Sequence, residues 1–231
     1  MMKISIIIPC YNEKNTIKII VNKVLKLSNL NVEIIVVDDG SVDGTKEILS
    51  KDLQSLVNKI IYHDKNLGKG SAIITGLKYV TGDIVIIQDA DLEYDPIEIP
   101  NLITPFLEHN ADVVYGSRFL GGGKYRRIHF FWHFLANKLL TLFSNILSNL
   151  NLSDMETGYK AFKIDSLREI NLEQKSFGFE PEVTMKLARK KKIFYEVPVS
   201  YSGRSYEEGK KITLKDAFVA LYCIIKYRFF K

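Results

Sequence analysis

The sequence feature that most constrains the fold of this chain is the order of its apolar segments. In the N-terminal half, short runs rich in β-branched residues alternate with stretches whose apolar residues recur at helical spacing. Strands are predicted at 3–8, 33–37, 59–62, 83–88 and 113–115, and helices at 16–27, 45–52, 69–79 and 97–109. Strands that alternate with helices are typical of an α/β fold with helices on both faces of the sheet.

The second half of the chain has a different character. Three glycines at 121–123 are followed by a basic stretch at 124–127 and by a long segment of helical period at 128–150. That segment is amphipathic, because Leu139, Leu142 and Ile146 share one face while Asn137 and Thr141 lie opposite. A further strand is predicted at 194–197 and a terminal helix at 214–228. We predict one domain over 1–231, with 128–150 and 214–231 as membrane-interface elements.

Charge and cysteine content narrow the class of protein. The net charge of +5 is gathered in three basic clusters, which suit polyanionic partners such as phosphates, anionic lipids or nucleic acid.

The longest apolar run, 218–225, is far shorter than the roughly 20 residues of a membrane-spanning helix. The N-terminus lacks the features of a secretory signal. Cys10 and Cys223 lie in separate apolar segments, so we expect no disulfide and a reducing, cytoplasmic compartment.

Polar residues follow three of the predicted strands directly, at 9–13, 38–45 and 89–93. Ligands of open α/β sheets bind beyond the carboxyl ends of the strands, so these residues are expected to meet at one edge. Some of them also suit ordinary helix capping or turns. Asp89, Asp91 and Glu93 are harder to explain in that way, because three acids near a sheet end repel one another unless a cation neutralises them. Their hard oxygen ligands favour Mg²⁺ or Mn²⁺.

Four motifs together carry a family resemblance: PCYNE at 9–13, DDGSVDGT at 38–45, NLGKG at 66–70 and DADLE at 89–93. In order and spacing they resemble the inverting glycosyltransferases of family two. The resemblance implies a GT-A fold, which is a Rossmann-like nucleotide-diphospho-sugar transferase fold with a mixed central sheet. More narrowly, residues 4 to about 212 resemble polyprenyl-phosphate glycosyltransferases of the dolichyl-phosphate mannosyl- and glucosyltransferase type.

The resemblance implies roles for the residues of the first half. Base and ribose would be held by Pro9, Tyr11, Glu13, Asp38 and Asp39, and the metal by Asp89, Asp91 and Glu93. The predicted nucleotide-sugar site also includes Asn12, Gly68, Lys69 and Ala90. Mannosyl members commonly have Gln at the third metal position, so Glu93 leaves the identity of the sugar open.

The second half resembles the acceptor side of these enzymes. Arg118, Arg126 and Arg127 would bind the lipid phosphate, for which guanidinium groups are well suited. Residues 154–160 (DMETGYK) resemble the acceptor-side motif, and 204–211 resemble the mobile loop from which Arg204 and Lys210 would close over the diphosphate. The predicted catalytic residues are therefore Asp91, Arg118, Arg204 and Lys210.

These residues predict the transfer of a hexosyl group from a UDP- or GDP-sugar to a polyprenyl phosphate. The reaction would be metal-dependent, on the cytoplasmic face of a membrane and without nucleic acid, and the family resemblance implies that it is inverting. A phosphomonoester is already an anion near pH 7, because its second pKa is about 6, so no general base is required. Two alternatives remain open: a saccharide hydroxyl acceptor in surface polysaccharide synthesis, with Asp154 or a nearby acid as base, and a non-catalytic nucleotide-binding membrane adaptor. The acid cluster argues against the adaptor. The oligomeric state is left open.

Overall fold

The central feature is a seven-stranded sheet in the order β3-β2-β1-β4-β6-β5-β7. The computed structural model describes residues 2–121, 127, 130–205, 207 and 214–230. The strands are β1 (Lys3–Cys10), β2 (Asn31–Asp38), β3 (Lys59–Tyr62), β4 (Ile84–Ile87), β5 (Val113–Ser117), β6 (Lys160–Lys163) and β7 (Phe194–Pro198). Strand β6 runs antiparallel to β4 and β5, and the other pairs are parallel. The predicted mixed sheet is confirmed.

Helices cover both faces of the sheet. They are α1 (Ile17–Leu25), α2 (Thr45–Ile48, continued by a π-helical turn Leu49–Leu53), α3 (Lys69–Leu77), α4 (Ile99–Glu108), α5 (Phe131–Ser148), α6 (Ile164–Arg168), α7 (Phe179–Arg189) and α8 (Leu214–Phe229). Alternate residues of β1 point to opposite faces, so Ile6 and Ile8 pack with α1 and α4, and Ile7 packs with α3 and α7. Each face therefore has its own apolar core.

The region between α5 and β7 differs most from the sequence-based prediction, which placed no element there. It contains β6, α6 and α7. The four residues of β6 form too short a run to show strand periodicity. Their position is set by pairing with β4, in which Lys160 lies opposite Ile87. Because β6 is reversed, the segment that precedes it reaches the same edge of the sheet as the carboxyl end of β4.

Helix α5 buries polar as well as apolar side chains and leaves other apolar side chains exposed. Thr141 and Ser144 are buried, whereas Leu139, Leu142 and Ile146 are 57%, 57% and 68% exposed. Other apolar residues of the helix pack against the core. A helix that only covered the sheet would bury its apolar face, so this arrangement leaves an apolar surface that the fold itself does not cover.

Both cysteines are free and buried, as expected from their positions in apolar segments. Among the described residues, none of the helices combines the length and apolar character needed to cross a bilayer. The division of the chain into a single catalytic domain stays a prediction.

Candidate active site

A cavity of about 980 Å³ opens at the carboxyl ends of β1, β2 and β4. The predicted strand-end carboxylates do meet at this single edge. Of the predicted site residues, those that line the cavity are Pro9, Tyr11, Glu13, Asp39, Gly68, Lys69, Asp89, Ala90, Asp91, Glu93, Arg118 and Arg204.

Two predicted donor-site residues lie behind the lining. Asn12 has a left-handed backbone (φ 54°) and its Oδ1 accepts a hydrogen bond of 2.9 Å from the Val42 amide. Asp38 is fully buried, and its Oδ2 accepts a hydrogen bond of 3.2 Å from the Ser41 amide. The Ser41 hydroxyl in turn accepts a hydrogen bond of 2.8 Å from the Asn12 amide. Together they join the loops that follow β1 and β2.

The carboxylate of Asp39 holds the glycine loop at the start of α3. It accepts hydrogen bonds from the amides of Leu67 (2.9 Å) and Gly68 (2.7 Å), and it lies 2.7 Å from His63 Nδ1. Gly68 has φ 99°, and a Cβ there would lie 2.2 Å from the carbonyl oxygen of Lys175. Only glycine fits this position without strain, which explains the motif.

Lys69 bridges two carboxylates at the floor of the cavity. Its Nζ lies 2.9 Å from Asp89 Oδ1 and 3.1 Å from Glu180 Oε1. Burial alone would lower the pKa of Lys69, but Asp89 and Glu180 outweigh it and raise the pKa. The lysine therefore stays charged, and it fixes both carboxylates.

Arg204 closes over the acid cluster from the segment that follows β7. Its Nη2 lies 3.0 Å from Asp91 Oδ2 and 3.1 Å from Glu13 Oε1. Glu93 fixes that segment, because its carboxylate accepts hydrogen bonds of 2.7 Å from the Tyr201 hydroxyl and 2.7 Å from the Arg204 amide. Glu93, predicted as a metal ligand, thus uses both oxygens to hold the chain around Arg204.

The described lining of the cavity contains more acidic than basic side chains. Burial, Asp89 and Glu93 raise the pKa of Asp91 to about 7. The carboxylates of the described lining are Glu13, Asp39, Asp89, Asp91, Glu93, Glu156, Glu180 and Asp216, against the cations Lys69, Arg118 and Arg204.

A divalent cation fits this donor set. A diphosphate would be repelled from such a lining unless a cation came with it, and carboxylate oxygens are the ligands that Mg²⁺ and Mn²⁺ prefer. In the part of the chain that the structure describes, no three His, Cys, Asp or Glu side chains are already arranged as a metal site.

Arg118 and Asp154 form a buried, bidentate ion pair. Arg118 Nε and Nη2 lie 2.7 Å from Asp154 Oδ2 and Oδ1, and the Asp154 side chain is fully buried. Burial raises the pKa of Asp154, but Arg118 outweighs this and the net pKa is lowered. Asp154 is thereby a weak base, and the guanidinium is held in one orientation at the cavity wall.

The structure places other predicted acceptor residues differently. Arg127 does not line the cavity; its backbone amide donates to the carbonyl oxygen of Tyr201 at 2.9 Å, and its Nη1 donates to that of Gly203 at 2.9 Å. It thereby ties the entry of α5 to the segment that carries Arg204. Arg126, predicted to bind the acceptor phosphate, and Lys210, predicted to close over the donor diphosphate, lie outside the described residues.

Sequence reasoning missed Glu180 and Tyr201 entirely and quoted Glu156 only within a motif. All three line the cavity. They come from elements far along the chain from the strand-end motifs, so only the tertiary fold brings them to the site. Glu156 lies in the segment before the reversed strand β6, so a sequence signal for that strand would have placed it at the cavity.

One wall of the cavity is apolar. It is formed by the first turns of α5, and includes Trp132, Phe134, Leu135, Leu139 and Leu140. The acid cluster and this wall belong to one continuous cavity, so it can hold a charged group and an apolar chain side by side.

The sequence profile of glycosyl transferase family 2 matches residues 5–170. The chain belongs to this family. As a family 2 member it is a glycosyltransferase, which confirms the enzyme class predicted from the four motifs.

Two relatives of this family 2 glycosyltransferase are named for polyprenyl-phosphate substrates. Dolichol-phosphate mannosyltransferase of Pyrococcus furiosus is 31% identical, covering 100% of this chain and 64% of the relative. Undecaprenyl-phosphate mannosyltransferase of Micrococcus luteus is 30% identical, covering 90% of this chain and 87% of the relative. The chain thus spans less than two thirds of the Pyrococcus protein.

Solved structures confirm the GT-A fold of the glycosyltransferase. Glucosyl-3-phosphoglycerate synthase from Mycobacterium tuberculosis, in complex with UDP, has a TM-score of 0.78 at 20% identity and covers 100% of this chain and 81% of that one. The same enzyme in complex with Mn²⁺ and UDP-glucose has a TM-score of 0.75 at 20% identity, over 100% and 80% of the two chains.

Proposed function

We propose that this glycosyltransferase moves a hexosyl group from a UDP- or GDP-sugar to a polyprenyl phosphate, with inversion and with Mg²⁺ or Mn²⁺. The observation that carries the proposal is the single cavity that runs from the acid cluster to the apolar wall of α5. A soluble sugar acceptor has no use for such a wall, whereas an isoprenoid chain can bury apolar surface against it. The names of the Pyrococcus and Micrococcus relatives support the same acceptor class.

The donor would bind at the carboxyl ends of β1, β2 and β4. Asp39 and the glycine loop that it fixes would form the nucleoside side, as the resemblance implies for Pro9 and Tyr11 as well. Asp89 and Asp91 would hold the cation, which when bound supplies positive charge to the leaving nucleoside diphosphate. Arg204, between Glu13 and Asp91, would add a second positive charge at the same place.

The acceptor phosphate would bind at Arg118, which lies between the acid edge and α5. Its guanidinium lies over the ring of Tyr201, the hydroxyl of which binds Glu93, and its partner Asp154 accepts a hydrogen bond from Asn137 of α5. The anionic oxygen of the phosphate attacks the anomeric carbon directly, so the chain needs to supply alignment and not a base. The pairing of Asp154 with Arg118 suits this scheme, since Asp154 keeps the guanidinium oriented and gives up its own basicity. The enzyme would work at the cytoplasmic face of a membrane, attached through the apolar surface of α5 and α8.

Transfer assays with defined acceptors test the proposal. Labelled UDP-glucose, GDP-mannose and UDP-N-acetylglucosamine are offered with polyprenyl phosphate or with free polyprenol. We expect transfer to the phosphate from one of the donors and none to the alcohol. Equal transfer to the alcohol, or to a soluble saccharide, would contradict it.

The role of Arg118 needs a paired variant. Arg118→Ala alone would leave the Asp154 charge buried and unpaired, at a cost of roughly 3–5 kcal/mol. The double variant Arg118→Gln with Asp154→Asn removes both charges and retains hydrogen-bonding groups. We expect it to lose transfer while it keeps nucleotide binding. Unchanged transfer in the double variant would remove Arg118 from the acceptor site.

A saccharide hydroxyl acceptor is the second candidate, and one observation favours it. Burial and the nearby Glu180 raise the pKa of Glu156, a cavity residue, to about 8, which is in the range of an effective base near neutral pH. In that case soluble saccharides would be glycosylated and Glu156→Gln would abolish their turnover.

A further inference from the structure

We propose that Glu156 and Glu180 form the subsite that binds the hydroxyl groups of the donor's hexosyl ring. This inference rests on the proposed function and adds the part of the site that would recognise the sugar. The two residues follow no strand end of the four motifs, and they enter the cavity from the segment before β6 and from the first turn of α7.

Both carboxyl groups have an oxygen without a hydrogen-bond partner. Within the described part of the chain, Glu156 Oε1 and Glu180 Oε2 are buried and unpaired. Glu180 is only 4% exposed. A buried acceptor that stays unpaired costs free energy, so such atoms in a cavity wall indicate that a ligand supplies the missing donors.

The fold fixes the Glu180 carboxylate in place. Its Oε1 lies 3.1 Å from Lys69 Nζ, which also lies 2.9 Å from Asp89 Oδ1. Since one oxygen is taken by the lysine, the other is the one left for a ligand. Glu156 is near enough for the Glu180 charge to raise its pKa.

Position identifies which part of the donor would reach this pair. Asp89 belongs to the proposed diphosphate end, and Lys69 joins Asp89 to Glu180 through two direct contacts. In a nucleotide diphosphate sugar the hexosyl ring is bonded to the distal phosphate. Because one ammonium contacts both, the carboxylate of Glu180 lies beside that of Asp89, next to the proposed position of the distal phosphate, and Glu156 lines the same cavity.

Chemistry excludes the other parts of the substrates. The Glu180 carboxylate repels the diphosphate and the acceptor phosphate, and an apolar chain offers no donors to the two unpaired oxygens. A second divalent cation would need several anionic ligands, and Glu180 offers one unpaired oxygen beside the Lys69 ammonium. Neutral hydroxyl groups remain, and they both donate and accept hydrogen bonds.

The inference is tested by removing one hydroxyl and one carboxylate at a time. Calorimetry with Mg²⁺ gives the Kd of UDP, GDP, UDP-glucose and GDP-mannose, and of analogues of the bound donor that each lack one ring hydroxyl. The variants are Glu156→Gln and Glu180→Gln, with Glu108→Gln at the exposed end of α4 as the matched control.

We expect at least one hydroxyl whose removal weakens binding to wild type roughly tenfold. In Glu180→Gln or Glu156→Gln that penalty should fall to about twofold or less. The penalty is the ratio of two affinities within one variant, so a change in the affinity for the nucleoside diphosphate part cancels. The Glu108→Gln control should keep the full penalty.

Other outcomes overturn the inference in distinguishable ways. If both variants keep every hydroxyl penalty, the pair does not read the sugar, although the proposed function stands. If Glu156→Gln keeps the penalties and loses turnover with a saccharide acceptor, Glu156 is a base and not part of a sugar subsite. If the wild type binds no nucleotide sugar at all, the proposed function itself fails.

Discussion

Two carboxylates of this site hold backbone segments in place. The Asp39 carboxylate fixes the glycine loop, and that of Glu93 fixes the segment carrying Arg204. Asp91 differs, because its neighbours raise its pKa to about 7 through burial and like charge. A carboxyl group in that condition is the one whose binding function depends most on an added cation.

Replacement of Asp91 by Asn should therefore weaken the dependence of nucleotide binding on the metal ion. Calorimetry of UDP and GDP with and without Mn²⁺ should show most of the Mn²⁺-linked gain in affinity lost in Asp91→Asn, because one of the proposed ligand charges is gone. Asp52→Asn, on an exposed side chain paired with Lys18, is the control and should keep the gain. Unchanged Mn²⁺ linkage in Asp91→Asn would remove Asp91 from the metal site.

Glu33 stabilises the opposite end of the sheet. Its carboxylate accepts hydrogen bonds from Thr81 Oγ1 (2.6 Å) and the Thr81 amide (2.7 Å), and it pairs with Lys3. Burial raises the pKa of Glu33, but the hydrogen bonds from Ser5, Thr81 and Lys3 outweigh it and lower the pKa to about 2. A lowered folded-state pKa contributes stability above pH 4.5 that is lost as the pH falls toward 2.

The Glu33→Gln variant should have a lower free energy of unfolding at pH 7, by up to about 3 kcal/mol. The difference from wild type should shrink between pH 4.5 and 2, because protonation then removes the same charge from wild type. Urea unfolding across that range measures it, with Glu108→Gln as the exposed control. A pH-independent difference would contradict the linkage.

At the level of elements, the C-terminal helix α8 reaches the donor site through a loop. The Tyr227 hydroxyl accepts a hydrogen bond of 2.7 Å from Gln174 Nε2. The carbonyl oxygen of the next residue, Lys175, accepts a hydrogen bond of 3.0 Å from the Ser71 amide in α3. The same carbonyl group lies against Gly68. The position of α8 is thereby connected to the glycine loop that Asp39 holds.

Tyr227→Phe tests that connection. The Gln174 amide loses its buried partner, so the free energy of unfolding should fall by about 1 kcal/mol, and the affinity for UDP or GDP should fall as the glycine loop loosens. Tyr222→Phe, on the same helix but 60% exposed, should change neither quantity. Lower stability with unchanged nucleotide affinity would show that the loop does not transmit the change.

The elements also show how far the sequence could be interpreted. Strand ends of a parallel sheet meet at one edge, so Glu13, Asp39 and Asp89 could be placed together from pattern alone. Strand β6 could not be predicted, because four residues show no periodicity and their reversed pairing is set by neighbouring strands. The contact between Glu180 and Lys69 could not be predicted either, because the position of α7 depends on that strand and on no local sequence pattern.

For the whole molecule, the two amphipathic helices α5 and α8 present exposed apolar side chains on the same face of the sheet, opposite to α4. Trp132 and Phe218 are each 74% exposed. The chain also carries a net charge of +5. Apolar side chains together with positive charge are typical of proteins that lie on anionic bilayers.

Vesicle flotation tests whether this surface attaches to a membrane. We expect the wild type to float with anionic vesicles and less with neutral ones, and Ile146→Glu to weaken binding by roughly tenfold, because a charge replaces an apolar side chain at the interface. The matched control is Leu107→Glu: Leu107 is 63% exposed, close to the 68% of Ile146, but it belongs to α4 on the other face. Equal loss in both variants would mean that the effect is only one of charge. Equal flotation with neutral and anionic vesicles would show that the net charge contributes nothing, and attachment would then rest on the apolar face alone.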